Sequence, residues 1–167
     1  DWSSDVCSSD LDRDIKKCVE YHCDKHVVKM CIEYAQLLCS AHHIIKPSLE
    51  IPYKLSHKNH PCSVWVRESL SNYQCLSDLG LELCKEYTYR YGKHHKSQDV
   101  IEWCILNQIN IPDKGLTEIP KAMPDQYKVS DVVESYRNFY WGAKSRFVSW
   151  KKRETPGWYL DKIKLKT

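Results

Sequence analysis

Apolar residues recur at intervals of three and four positions along much of the chain, which is the spacing of an amphipathic α-helix. The clearest stretch begins at Asp24, a suitable helix cap, and runs to about His43. Its predicted core-facing residues are Val27, Val28, Cys31, Ile32, Ala35, Leu38 and Cys39. A shorter helix is predicted just before it, over residues 15–21.

A second long helix is predicted from Pro61 to about Tyr91. Pro61 suits the first helical position, where a backbone N–H would have no partner in any case, and Gly92 is a natural stop. Apolar side chains repeat along the whole stretch, so we expect it to be the central element of the fold.

The remaining chain predicts shorter helices separated by long loops. Ser97 can cap a helix over residues 98–106, and a further helix is predicted from Ser130 towards Trp150. Between them, helix is interrupted by Pro112, Pro120 and Pro124. No convincing β alternation is found. The predicted class is therefore all-α: a compact single-domain helical bundle with one long central helix and long loops.

The first ten residues do not fit this pattern. The segment DWSSDVCSSD looks like the in-frame translation of a sequencing adapter, so we expect the natural domain to occupy residues 11–167 and its true first residue to be missing. Without the three aspartates of that segment, 25 basic residues stand against 19 acidic ones, which gives a net charge of +6. The predicted domain is modestly basic.

Eight cysteines remain in this domain, and most lie among aliphatic residues of the predicted helices: Cys18, Cys23, Cys31, Cys39, Cys62, Cys75, Cys84 and Cys104. This distribution is typical of small buried side chains in a reducing compartment rather than of a disulfide scaffold. No run of about 18 apolar residues occurs, so no membrane span is expected. We predict a cytoplasmic monomer without a membrane partner.

Polar residues form a single stripe on the other face of the first long helix. They lie at intervals of 4, 3, 4, 3, 4 and 3: His22, His26, Lys29, Glu33, Gln36, Ser40 and His43. A solvated helix face would account for such a stripe. It could equally be a catalytic strip in which Glu33 acts as acid or base and the cations hold an anionic substrate.

Two basic clusters outside this helix are candidate phosphate contacts. Residues 57–60 (His-Lys-Asn-His) precede the predicted helix start, where free N–H groups and the helix dipole attract phosphate, and Arg67 follows two turns later. Residues 90–97 (Arg-Tyr-Gly-Lys-His-His-Lys-Ser) mix cations with an aromatic ring. The clusters lie at opposite ends of one predicted helix, roughly 45 Å long at 1.5 Å per residue. Ordinary solvated loops would explain both as well.

Zinc binding is an open alternative, since His22, Cys23 and His26 with a more distant histidine could supply ligands. However, the zinc-protease glutamate between the histidines is absent, and so is a paired-cysteine motif. The chain also lacks a glycine-rich phosphate loop, a nucleophile elbow and a dinucleotide fingerprint. We expect no cofactor.

Several short segments together resemble the pyrimidine-dimer DNA glycosylases, small all-helical repair enzymes typified by a bacteriophage endonuclease. They are Glu33 seven residues after His26, the Asn59-His60-Pro61 helix start, Glu86 with Arg90-Tyr91-Gly92, and Pro156-Gly157-Trp158-Tyr159. The His-Cys-Asp-Lys-His and Asn-His-Pro-Cys segments are also similar to those of phage and environmental proteins.

The resemblance implies a reaction and assigns residues to it. In that family the α-amine of the mature N-terminal residue attacks C1′ of the damaged nucleotide's sugar, and the resulting imine undergoes strand cleavage. The family's catalytic glutamate corresponds to Glu33 and its preceding histidine to His26. The chain departs from the family at two arginine positions, which are Ile32 and Gln36 here, and the missing first residue leaves the nucleophile unnamed.

We therefore expect a DNA repair glycosylase with lyase activity that acts on pyrimidine dimers, or a related altered base, in double-stranded DNA. The predicted catalytic residues are Glu33 and His26. The predicted DNA contacts are His22, Lys25, Lys29, Lys58, His60, Arg67, Arg90, Lys93 and Lys96. A zinc-dependent nuclease or hydrolase and a non-catalytic nucleic-acid-binding module are the alternatives.

Overall fold

Seven α-helices joined by long loops build residues 10–144 and 148–166, which are the residues that the structure, a computed structural model, describes. The helices are α1 (Ile15–Tyr21), α2 (Asp24–Ile45), α3 (Pro61–Glu68), α4 (Leu70–Tyr91), α5 (Lys96–Leu106), α6 (Val132–Lys144) and α7 (Gly157–Lys166), with a 3₁₀ turn at Asp125–Tyr127. No strand occurs in these residues, so the predicted all-α, single-domain class is confirmed. The first nine residues of the adapter-like segment lie outside the described residues.

The helices α2 and α4 lie at the centre of the fold: α2 packs against α3, α4 and α5, and α4 packs against α1, α2, α3 and α5. Val28 and Ile32 were predicted to face the core, but both side chains are exposed, with exposed fractions of 38% and 39%. Met30, Tyr34 and Leu37 are buried in their place. The core-facing side of α2 is therefore rotated about the helix axis from the predicted one, since α4 and α5 set its direction rather than the local apolar pattern.

The predicted long helix from Pro61 to Tyr91 is broken at Ser69, which is a second correction. Ser69 has extended backbone (φ −150°, ψ 142°), so α3 ends just before it and α4 begins just after it. The two helices consequently run in different directions. The sequence pattern does not reveal the break, because apolar spacing continues on both sides of it.

A distant loop stabilises this break. The hydroxyl of Ser69 donates to the carbonyl of Gly115 at 2.8 Å and accepts from the N–H of Lys114 at 2.9 Å. The side chain of Asn72 donates to Thr117 Oγ1 at 3.0 Å and accepts from its N–H at 2.9 Å. Backbone groups that the break leaves without helical partners are bonded as well: the N–H of Leu70 donates to the carbonyl of Pro112 at 3.2 Å, and the Asn72 amide donates to the carbonyl of Trp65 at 2.9 Å.

Two other predicted helix ends differ from the structure. The helix α5 begins at Lys96 rather than after Ser97, because the ring of His95 caps it by accepting from the N–H of Ser97 at 3.1 Å. The helix α6 ends at Lys144 rather than near Trp150. A further helix, α7, follows it at Gly157–Lys166.

The cysteines fit the predicted role of small core residues with one exception. Buried thiols are Cys18, Cys23, Cys31, Cys39, Cys84 and Cys104, and Cys75 is a half-buried thiol. Burial raises the pKa of the Cys23 thiol to about 11, which keeps it neutral. Cys62 is disulfide-bonded, which corrects the expectation of a thiol there. Among the described helices, none is long and apolar enough to cross a bilayer.

Candidate functional site

The polar stripe along α2 divides into three parts that differ in burial. His22 and His26, at its beginning, are fully buried. Its end is covered by residues 46–60, the loop before α3. Its middle, comprising Lys29, Glu33 and Gln36, is half-buried and reaches solvent. The open middle is the candidate site.

The first part of the stripe belongs to the core. His22 Nδ1 donates to the carbonyl of Cys18 at 2.7 Å, and burial lowers the pKa of His22 to about 4, so this ring is neutral at pH 7. The side chain of His26 lies 2.5 Å from the hydroxyl of Tyr140, with the two rings edge to face. The expectation that His22 contacts DNA is therefore wrong. His26, the predicted catalytic histidine, is also interior, roughly 10 Å before Glu33 along the helix axis.

The last part of the stripe is paired with the loop before α3. Ser40 Oγ donates to the carbonyl of Ser56 at 2.8 Å and accepts from its N–H at 3.1 Å. His43 Nε2 donates to the carbonyl of Tyr53 at 2.8 Å. As the loop advances from residue 53 to residue 56, its partners on α2 move back from residue 43 to residue 40. The loop thus runs antiparallel to α2 and leads towards Glu33.

The carboxyl group of Glu33 lies in the open middle of the stripe. Burial raises the pKa of this carboxyl, and the positive charges of Lys29 and His57 partly oppose the rise. A carboxyl shifted in this direction is closer to changing its protonation state at neutral pH than an ordinary surface glutamate. That property suits a general acid or base.

The basic cluster at residues 57–60 borders one side of this carboxyl. His57 has positive φ (50°), and the N–H of His60 donates to its carbonyl at 3.0 Å. Arg67 Nη1 donates to the carbonyl of Lys58 at 2.9 Å, so this predicted DNA contact also braces the loop. Lys58 is exposed and His60 is half-buried. The cluster is a held turn rather than a loose loop.

The second basic cluster borders the other side of the same helix. His95 Nε2 donates to the carbonyl of Val28 at 3.1 Å, which brings the turn with Lys93 and Lys96 against α2. Val28 and Glu33 are five residues apart, about 7.5 Å along the axis. The two clusters therefore flank one face of α2, because the break at Ser69 turns α4 away from α3. The expected separation along a single helix is wrong.

We call the exposed face of α2 between these clusters the α2 surface. It consists of Lys25, Val28, Lys29, Ile32, Glu33 and Gln36. Lys25 and Lys29 were predicted DNA contacts, and both lie on it. Ile32 and Gln36, which stand where the similar family has arginines, also lie on it.

Arg90 does not face solvent, contrary to its predicted contact with DNA. It is fully buried, and its guanidinium donates to Glu86 at 2.7 Å, to Asp24 at 3.0 Å and to the carbonyls of His22 and Glu20 at 2.8 and 3.0 Å. These carbonyls lie at the end of α1, where helical partners run out. Arg90 therefore joins the end of α1 and the start of α2 to α4.

Sequence reasoning missed one cation at the edge of the α2 surface. The backbone N–H of Lys151 donates to the Asp24 carboxylate at 2.8 Å, and Ser149 Oγ donates to the same group at 2.7 Å. The ammonium of Lys151 lies 5.1 Å from the centre of the Tyr91 ring. No local pattern identifies this contact, because it joins parts of the chain more than 120 residues apart.

The part of the chain that the structure describes brings no three side chains of histidine, cysteine, aspartate or glutamate together as metal ligands. The rings of His22 and His26 are 6.1 Å apart, but Nδ1 of His22 is already bound to the Cys18 carbonyl. Among the described residues, the zinc alternative therefore lacks a set of ligands.

No protein-family model, curated protein or solved structure matches this chain. The resemblance to the pyrimidine-dimer glycosylases consequently stays a prediction. The functional argument depends on the geometry and charge of the α2 surface.

Proposed function

We propose that the protein is a DNA N-glycosylase with lyase activity, which acts on a pyrimidine dimer or a related altered base at the α2 surface, with Glu33 as its acid and base. The position of Glu33 carries the proposal. It is a half-buried carboxyl with a raised pKa between two basic segments that both border α2.

The surrounding charge supports a DNA substrate. Lys25 and Lys29 lie on the α2 surface, while Lys58 borders it on one side and Lys93 on the other. Cations placed on two sides of a site can bind phosphates on both sides of a damaged nucleotide. A carboxylate among them would weaken simple phosphate binding by repulsion, so its presence favours a chemical role.

The chemistry proposed for Glu33 needs both of its protonation states. An amine of the chain attacks C1′ of the sugar, and the bond from C1′ to the base breaks, with its electron pair leaving on the base, which takes up a proton. Ring opening then gives an imine between C1′ and the amine nitrogen, and loss of a proton from C2′ expels the 3′ oxygen. A carboxyl with a raised pKa can donate a proton in the first part and accept one in the second. The resemblance assigns the amine to the natural first residue.

Borohydride trapping tests this proposal. The protein is incubated with ultraviolet-irradiated or undamaged duplex DNA, and the expected covalent adduct forms with irradiated DNA and is strongly reduced by Glu33→Gln. Glu102→Gln, an exposed carboxylate on α5, is the matched control and should trap like wild type. Mass spectrometry of the adduct identifies the amine.

Other outcomes would contradict the proposal. Equal trapping by wild type and Glu33→Gln would remove Glu33 from the chemistry. Salt-dependent DNA binding without an adduct or cleavage would instead indicate the non-catalytic binding module.

A further inference from the structure

We propose that His57 is a positioning residue for Glu33: the loop before α3 brings the imidazole to the side of α2 that carries this carboxyl, so that the charge of the imidazole favours the ionised form of the acid. The catalytic consequence of this inference rests on the proposed function. The pairing of the two side chains does not, and it can be measured without DNA.

The path of the loop brings His57 to the side of α2 that carries Glu33. The backbone bonds of Ser56 to Ser40 attach the loop to α2 immediately before His57. Ser40 and Glu33 are seven residues apart and share the same side of the helix, since seven residues make nearly two full turns. His57 continues the loop from Ser56 in that direction, and its charge acts on the Glu33 carboxyl.

The backbone at His57 is strained and is held from both sides. Its φ of 50° lies in the left-handed region, which glycine adopts freely and which costs free energy for residues with a Cβ, least for asparagine, aspartate and histidine. The conformation persists because Ser56 is bound to Ser40, His60 N–H is bound to the His57 carbonyl, and Arg67 holds the Lys58 carbonyl. A strained residue so firmly held beside an acidic group is typical of a functional site.

Among the titratable groups near Glu33, His57 is the imidazole whose charge acts on the pKa of the carboxyl. Lys29 faces the carboxyl from α2, and His60 faces His57 from the start of α3, with ring centroids 6.5 Å apart. His60 Nδ1 accepts from the N–H of Cys62 at 3.2 Å, so a neutral His60 ring carries its proton on Nε2. Burial and the charge of His57 lower the pKa of His60, so that ring is kept neutral.

The test follows the Glu33 carboxyl carbon by ¹³C NMR as the pH is changed. His57→Asn keeps a residue that tolerates positive φ and removes the charge, so the Glu33 midpoint should shift to higher pH. Lys29→Gln should shift it in the same direction. Lys54→Gln removes an exposed charge from the same loop and should leave the midpoint unchanged. A midpoint in His57→Asn equal to that of wild type, with Lys29→Gln shifted, would overturn the pairing.

A second readout connects the pairing to the reaction. In wild type the rate of strand cleavage should fall on the acid side as Glu33 becomes protonated, and His57→Asn should move this fall to higher pH. Imidazole added to His57→Gly should restore part of the lost rate, which a purely structural role for His57 would not allow. If wild type cleaves no DNA, the proposed function fails while the NMR titration still decides the pairing.

Discussion

Replacing Arg90 by methionine removes a guanidinium that is fully enclosed by its partners. The side chain keeps its length, but the donors to Glu86, to Asp24 and to the end of α1 are lost. Because the exposed fraction of Arg90 is 0%, water cannot replace these donors without opening the structure. The change therefore tests whether Arg90 is a structural residue, as its burial indicates, or a DNA contact.

The expected loss follows from the partners that remain. Removing one member of a buried ion pair costs about 3–5 kcal/mol. Glu86 keeps its bonds to Arg153 at 2.8 and 3.0 Å, and Asp24 keeps Ser149 and the N–H of Lys151, so the lower end applies. A loss of about 3 kcal/mol corresponds to roughly a 100-fold smaller folding equilibrium constant at about 1.4 kcal/mol per factor of ten. The melting temperature should fall by about 6–12 °C in a protein of this size.

Urea denaturation followed by tryptophan fluorescence measures this loss. The control is Lys85→Met, which breaks an exposed pair with Glu82 and should cost less than about 0.5 kcal/mol. The reasoning is refuted if Arg90→Met is no less stable than Lys85→Met. It is equally refuted if Arg90→Met keeps its stability but loses DNA binding, since Arg90 would then reach the substrate.

Three further predictions address acid stability, the helix break and the α2 surface. Lowering the pH from 7 to 4 should reduce the free energy of unfolding by about 3 kcal/mol through His22 alone. Burial lowers the pKa of His22 from 6.5 to about 4, so the unfolded chain binds a proton at higher pH than the folded chain does. Stability is therefore lost as the pH falls through this range. Urea midpoints against pH should show a weaker acid dependence in His22→Asn than in wild type; parallel curves would exclude His22 as the cause. Ser69→Ala should lower the free energy of unfolding, measured by urea denaturation, by about 1–2 kcal/mol. It should also make proteolysis of the loop at residues 112–117 faster. Unchanged cleavage would mean that the hydroxyl does not hold this loop. In DNA binding measured by fluorescence anisotropy, Lys29→Gln should reduce the slope of log K against log salt concentration by about 1. Lys162→Gln on α7 is the control and should leave this slope unchanged. Equal slopes for Lys29→Gln and wild type would place Lys29 outside the interface.

Local patterns predicted the fold where helices are decided by neighbouring residues. The bounds of α1 agree with the apolar spacing, and the long helix after it begins within one residue of the predicted start, although Asp24 is its first helical residue rather than its cap. The break at Ser69 was missed because its partners come from a loop about 45 residues later. Contacts at such separations leave no periodic signal in the sequence.

The candidate site was predictable in part for the same reason. Helical spacing correctly put Lys29 and Glu33 on one polar face with His26. It could not indicate which part of that face other elements cover, and α6 covers His26 through Tyr140. Likewise, Arg90 has the sequence context of a surface cation, and only the folded chain places acidic and carbonyl groups around it.

The attachment of Asp24 to Ser149 and Lys151 also has a consequence for the order of folding. The residues it joins are 125 and 127 positions apart, while the helices α3, α4 and α5 that pack on α2 are complete by Leu106. During synthesis the helical core can therefore assemble first, with Arg90 already bonded to Asp24, and the first turn of α2 gains its remaining bonds only when residues 149–151 have been made. We expect a chain stopped before Val148 to retain helical circular dichroism but to exchange the amide hydrogens at the start of α2 rapidly. A growing chain would thus carry an incompletely bonded α2 surface until residues 149–151 have been made, and under the proposed function its activity on DNA would follow only then.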